Sequence, residues 1–275
     1  MQIMFDGELA TLVGMMLITG AIGGLLAGLL GVGGGIVIVP VLELVLAWLG
    51  VDASVRMHVT VATSLATIIP TSISSSRAHH AKGAVDVDQL RLWGVAIFIG
   101  AVAGVLIASY VSGDALSAIF GTVALLVAVK MLLPLDGKHI AEKLPGGIGG
   151  QILPFTIGGV SSMMGIGGGP LSVPLMTLFN FPIHRAVGTA SLFGLLISVP
   201  ATLGFIATGW GEPGLPVGSL GYVNLIGLAV IAPVAYFAAP WGVRLAHALT
   251  KRQLGLMFGC FLMIVAIRML LRALA

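Results

Sequence analysis

Two stretches decide how the chain is read: Leu29-Leu30-Gly31-Val32-Gly33-Gly34-Gly35 leading to Pro40, and Met164-Gly165-Ile166-Gly167-Gly168-Gly169 leading to Pro174. The spacing from first glycine to proline is identical. No strand pattern precedes either run and the surroundings are apolar, so neither is a dinucleotide fingerprint, which needs a strand before it and a soluble fold around it. Successive glycines weaken a helix by about 1 kcal/mol each relative to alanine. At membrane depth, irregular backbone persists only where protein buries it or water reaches it. Each run therefore reads as a break in a membrane helix. The helix that restarts after the break turns free N–H groups and the positive end of its dipole toward it, which suits an anion. Close helix packing is the competing reading of such glycines; their recurrence with proline at one offset favours a functional break.

Outward from these runs, the chain is apolar. Of 275 residues, 58% are hydrophobic and 8% charged, where soluble domains carry about a quarter charged residues. Five apolar segments lie near 9–30, 35–49, 57–78, 89–111 and 115–133, and five more near 149–164, 168–180, 185–208, 219–246 and 251–274. A full span needs roughly 17–25 apolar residues, so 35–49, 149–164 and 168–180 read as half-helices. The opening residues carry Asp6 and Glu8 and no basic group, unlike a secretory signal. Cys260 is the single cysteine, which excludes an intrachain disulfide or a cysteine metal cluster. The net charge of +3 resides on basic residues at segment ends and reads as a topology signal, not a nucleic-acid surface.

The halves are related. Val61-Ala-Thr-Ser-Leu65 answers Gly188-Thr-Ala-Ser-Leu192, Pro70 answers Pro200, and Gly104 with Phe120-Gly121 answers Gly242 with Phe258-Gly259. Arg77, Lys82 and Arg91 follow the third segment, whereas the equivalent loop at 209–220 has no Lys or Arg. The next loop reverses this: Ser112-Gly113-Asp114 against Arg244, Lys251 and Arg252. By the positive-inside rule, equivalent loops face opposite sides, although Arg268 and Arg272 fit this poorly. The expected fold is thus an all-α polytopic membrane protein of two inverted-topology repeats, with Gly-broken half-helices near the membrane centre. The first repeat is residues 1–134, the cytoplasmic connector 135–148 and the second repeat 149–275. Whether the short segments form re-entrant hairpins or thin full spans stays open at this level.

Candidate substrate-binding residues are Gly33, Gly34 and Gly35 in the first break and Gly167, Gly168 and Gly169 in the second, with hydroxyls of Thr63, Ser64, Thr189 and Ser191 beside them. Each hydroxyl has the alternative of bonding its own helix carbonyls. Glu43, within a short apolar helix, reads as a coupling residue or as a snorkelling carboxylate. Arg56 with His58, and His184 with Arg185, read as anion-attracting gates or as interfacial anchors. His79 and His80 mark a membrane surface, and Trp48, Trp93, Trp210 and Trp241 are lipid-facing or interfacial. No spacing suggests a metal site, a cofactor or a catalytic triad.

The paired Gly-x-Gly-Gly-Gly-x-x-x-x-Pro elements, each followed by an Ala/Thr-Ser-Leu segment, and His184-Arg-Ala-Val-Gly-Thr-Ala-Ser191 in particular, resemble the TauE/SafE family of sulfite and organosulfonate exporters. The resemblance covers essentially the whole chain. It implies export of sulfite, sulfoacetate or a related anion across a bacterial cytoplasmic membrane by a multi-pass protein that is not an enzyme. The partners it implies are a small anionic substrate and the lipid bilayer, with a homo-oligomer left open. An uptake permease for another oxyanion or carboxylate, an anion channel and a non-transporting membrane scaffold are the other readings.

Overall fold

The computed structural model describes residues 2–31, 33–133, 147 and 149–274. The first half comprises α1 (Gln2–Leu30), α2 (Gly35–Trp48), α3 (Ala53–His80), α4 (Val87–Ala108) and α5 (Gly113–Leu132). The second comprises a 3-10 turn (Gly149–Gln151), α6 (Ile152–Met164), α7 (Gly169–Leu178), α8 (Ile183–Thr208), α9 (Leu225–Ala248) and α10 (Lys251–Leu274). Among the described residues, six helices are long and apolar enough to cross a membrane: parts or all of α1, α4, α5, α8, α9 and α10. The chain is an all-α polytopic membrane protein. With 14, 13 and 10 residues, α2, α6 and α7 reach only about 15–21 Å at 1.5 Å per residue, well short of a hydrocarbon core of about 30 Å.

Helix α3 is long enough to span but is rich in hydroxyls. Protein, not lipid, covers it: Thr60, Thr63, Ser64, Thr67, Thr71 and Ser72 are all buried. Most of its polarity is absorbed locally, Thr67 donating to the Ser64 carbonyl and Thr71 to that of Thr67. Ser74 and Ser75 reach across to the carbonyls of Tyr236 and Ala27. These are the arrangements by which hydroxyls remain in a low-dielectric core without stranding a donor.

The packing repeats when the halves are exchanged. Helix α1 lies along α9 as α6 lies along α4; α3 packs on α9 as α8 packs on α4; α2 rests on α3 as α7 rests on α8; and α3 with α8, and α5 with α10, close the centre. The glycine contacts follow the same exchange to the residue. Gly104 meets the Gly159 backbone, and Gly242 meets the Leu25 backbone. Gly121 meets Leu270, and Gly259 meets Leu132. In each case a Cβ would collide with its neighbour, so these glycines set how closely the helices approach, as small residues do in membrane bundles. Helices α4 and α9, which correspond under this exchange, run in opposite directions. The start of α4 and the end of α9 lie at one end of the bundle, because Asp86 pairs with Arg185 at the start of α8, and His184 beside it stacks on His247.

Two expectations are corrected. The segment expected at 219–246 does not begin as helix: Ser219–Leu220 and Val223–Asn224 form a short antiparallel hairpin, Ser219 opposite Asn224, before α9 starts. Trp93 is not lipid-facing; it is wholly buried and stacks on Phe193 at 6.1 Å, while Trp48, Trp210 and Trp241 are exposed. His79, in the last turn of α3, has its ring buried, and its Nε2–H donates to the Gly28 carbonyl at 2.9 Å, while His80 beside it is exposed. The connector at 135–148 lies outside the described residues except for Gly147.

Candidate substrate site at the meeting of two helix breaks

Each glycine run ends one helix and starts the next. Gly165 closes α6 in the left-handed conformation (φ 67°), with the Ile166 N–H returning to the Ser161 carbonyl, a glycine-terminated helix end. Gly31 (φ 65°) does the same after α1. The restarts differ. Gly33 and Gly34 also have positive φ (73° and 81°), whereas Gly168 is right-handed at φ −64°. No side chain caps α2 at Gly34 or α7 at Gly168, so the first N–H groups of both half-helices carry no side-chain partner. Pro170 removes one donor from α7. The N-terminus of α2 is therefore the better supplied of the two.

The breaks touch. Gly35 at the start of α2 packs on the Gly165 carbonyl, and a Cβ there would also come within 2.9 Å of Ser64 Oγ and 3.0 Å of Ile166 Cα. Ser64 Oγ donates to the Gly165 carbonyl at 2.7 Å, tying α3 of the first half to the break of the second. Ser191 instead donates to the Gly188 carbonyl of its own helix at 2.6 Å. Gly33, Gly34, Gly35, Gly167, Gly168 and Gly169 are all buried.

Thr63 and Thr189 hold helix starts. The Asn224 N–H donates to Thr63 Oγ1 at 2.8 Å and the Asp86 N–H to Thr189 Oγ1 at 2.9 Å. Asn224 and Asp86 are themselves N-caps, accepting from Gly227 at 2.8 Å and Gln89 at 3.0 Å. Two hydroxyls singled out as ligands thus already accept a bond from the helix entering beside them. Thr60 Oγ1, one turn before Ser64, is buried without a partner.

The charged candidates separate to opposite ends. Arg56 and His58 lie with Glu43 at the end where α3 begins; His58 Nε2–H donates to the Ala108 carbonyl at 3.1 Å and its ring stacks on Tyr222. Arg185 pairs with Asp86 at 2.6 Å at the other end, where His184, His247 and His79 form a row of rings at 5.2 and 5.7 Å. Glu43 faces three guanidiniums: Arg56 at 3.5 Å, Arg268 at 3.6 Å and Arg272 at 3.3 Å. Arg268 and Arg272, which fitted the loop-charge pattern poorly, have their explanation here. The sequence signal was present, since burying a carboxylate at Glu43 calls for a cationic partner, but the helix supplying two of them lies more than 200 residues away.

Residues 16–269 match the family described as Sulfite exporter TauE/SafE. The chain belongs to the TauE/SafE family. It is 33% identical over 262 residues to a probable membrane transporter protein of Haemophilus influenzae, covering 95% of this chain and 99% of that protein. Probable membrane transporter proteins of Bacillus subtilis and Methanocaldococcus jannaschii are each 26% identical, over 93% and 98% of this chain and 96% and 100% of their own lengths. No solved structure matches the chain. Membership of TauE/SafE and these relatives make the protein a multi-pass membrane transporter, and the meeting of its two glycine breaks is the candidate substrate site of that TauE/SafE transporter.

Proposed function

We propose that the protein moves a small sulfur-containing oxyanion, such as sulfite or sulfoacetate, out across a bacterial cytoplasmic membrane by alternating access. One observation carries this reading: the uncapped start of α2 meets the break between α6 and α7 at the Gly35–Gly165 contact, and α7 restarts, also uncapped, from that break. N–H groups at helix starts provide donors and positive dipole ends without a full charge, which binds an anion yet releases it. The oppositely running equivalent helices support an inverted repeat, the architecture in which one half rocks against the other around a central site. The two breaks are in contact at Gly35 and Gly165, and substrate would part them. Ser64 is the hydroxyl best placed to exchange its Gly165 bond for a substrate oxygen. A membrane negative inside favours exit of an anion by about 2.3 kcal/mol per charge per 100 mV, so export needs no coupling ion.

The test is flux of labelled sulfite, sulfoacetate, thiosulfate and sulfate by purified protein in liposomes under imposed voltage, proton and sodium gradients. Saturable, voltage-sensitive movement of one sulfur oxyanion is expected. Absence of movement of all four from folded protein overturns the substrate; non-saturating conductance would favour a channel.

A further inference from the structure

Among the described residues, the Glu43 cluster sets three guanidiniums against one carboxylate. In the register that places Gly121 on Gly259, Lys130 answers Arg268; in the register that places Pro40 on Pro174, Glu43 answers Thr177. In the second half, Lys130 reaches from α5 to the Pro174 carbonyl and the Thr177 hydroxyl near the end of α7. There a lysine ties a half-helix to its neighbour through a carbonyl and a hydroxyl. In the first half the same place carries a buried carboxylate and three guanidiniums, three positive charges against one negative.

That carboxylate does not saturate its partners. Charge-assisted hydrogen bonds run at about 2.7–2.9 Å, and Arg185 on Asp86 is at 2.6 Å. The three guanidiniums stand 3.3–3.6 Å from Glu43, and Arg56 Nε is buried without a hydrogen-bond partner. Among the described residues, the other carboxylates whose fields reach the cluster are Asp52, which acts on Arg56, and Asp114, which acts on Arg272. Both are solvent-exposed, and Asp52 is engaged with Ser54, so water and salt screen them. The guanidiniums remain reachable, their side chains being 19%, 37% and 19% exposed for Arg56, Arg268 and Arg272.

We propose that Arg56, Arg268 and Arg272 form a second oxyanion site, apart from the paired glycine breaks, in which Glu43 is a tethered anion that a soluble or lipid-borne oxyanion joins or displaces. Planar guanidinium forks select a sulfate- or phosphate-like group with several oxygens over a halide. Glu43 then serves as the resident counter-charge of the three guanidiniums. A phospholipid phosphate is one source of the group, since Arg268 lies on a face of α10 with exposed Ile264, Ile267 and Leu271; a free anion is the other.

The experiment measures thermal unfolding of the purified full chain, with sulfate against chloride at matched ionic strength in lipid-free detergent, and with phosphatidylglycerol against phosphatidylcholine in mixed micelles. Wild type is expected to be stabilised by sulfate, by phosphatidylglycerol or by both, and the responding arm names the source. Glu43→Gln removes the competing charge and should tighten the apparent affinity for the responding anion by about tenfold or more. Arg268→Gln, at the most exposed of the three, should lose the response while retaining wild-type stability without anion. Should Glu43→Gln not fold, the Arg268→Gln comparison alone decides. Equal responses to sulfate and chloride and to both lipids, or an undiminished response in Arg268→Gln, overturn the site. Because binding is read without transport, failure here is separable from failure of the flux assay.

Discussion

Replacing Gly35 by Ala tests the central contact with one carbon. Gly35 is the first residue of α2 and does not have positive φ, so alanine is conformationally acceptable there and gains up to about 1 kcal/mol of helix propensity. Against this, the new Cβ would overlap the Gly165 carbonyl and stand 2.9 Å from Ser64 Oγ. Overpacking a tight site costs about 1–3 kcal/mol, and prising Ser64 from the Gly165 carbonyl strands a buried acceptor at about 1–3 kcal/mol more. The balance is a loss of about 1–5 kcal/mol. Gly14→Ala is the control, since nothing lies within 4 Å of a Cβ at that position. In liposomes Gly35→Ala should retain less than a tenth of wild-type flux and unfold at lower temperature, while Gly14→Ala matches wild type in both. Wild-type flux from Gly35→Ala would refute the placement of the pathway at this contact, and an unchanged unfolding temperature would refute the packing on which the magnitude rests.

Ser64→Ala removes the bond between halves at Gly165 and should destabilise by about 1–3 kcal/mol, whereas Ser191→Ala, whose bond stays within its own helix, should cost less than half of that; equal losses in thermal unfolding would contradict the distinction. Thr63→Val and Thr189→Val strand the Asn224 and Asp86 N–H groups and should each cost about 1–3 kcal/mol, with exchange of the Asn224 and Asp86 amides accelerated in hydrogen-exchange measurements; unaltered exchange would sink that role. Ser54 hydrogen bonds hold the Asp52 carboxyl below its ordinary value of 3.8. Its contribution to stability is thus fully present above that value and is lost as pH falls through the lower folded pKa, so Asp52→Asn should flatten the acid limb of the stability profile, and an unaltered limb would count against the cap. In a Cys260→Ala background, an impermeant thiol reagent applied to cells should label Tyr110→Cys but not Lys82→Cys, the two exposed positions lying at opposite ends of the bundle; labelling of both would overturn the spanning arrangement.

The membrane class and the apolar segments were legible because both rest on composition and local pattern, and neither depends on tertiary partners. The half-helices were legible from length alone. What the sequence left open was what touches what. That Gly35 meets Gly165, or that Ser64 donates across the halves while Ser191 turns inward, depends on how α3 and α8 lie across each other, and two similar motifs give no sign of it. Trp93 was misread because tryptophan near a segment end ordinarily sits at the lipid interface; here Phe193 of α8 covers it. The short hairpin at 219–224 escaped because its apolar Leu220, Tyr222 and Val223 prolong the hydropathy of the helix that follows. Glu43 was singled out for the right reason, the cost of burying it, but its partners Arg268 and Arg272 had been set aside as exceptions to a loop rule that does not apply inside helices.

The departures from symmetry bear on direction. If the two halves of an inverted repeat were identical, exchanging their conformations would turn an inward-open state into an outward-open one of equal energy, and the protein would favour neither side. This chain keeps the exchange in its scaffold, where Gly104 and Gly242 meet equivalent backbone and Asp86 and Asn224 cap equivalent helices. It abandons the exchange around the half-helices. Two extra left-handed glycines start α2 but not α7, a proline removes a donor from α7 alone, and, among the described residues, a carboxylate with three guanidiniums grips α2 where a lysine reaches α7. Moving α2 away from the Gly165 break therefore works against different contacts than moving α7. On the proposed inverted arrangement those two movements open opposite faces, so the unequal grips on the two half-helices, and not the symmetric scaffold, set which face the empty transporter prefers.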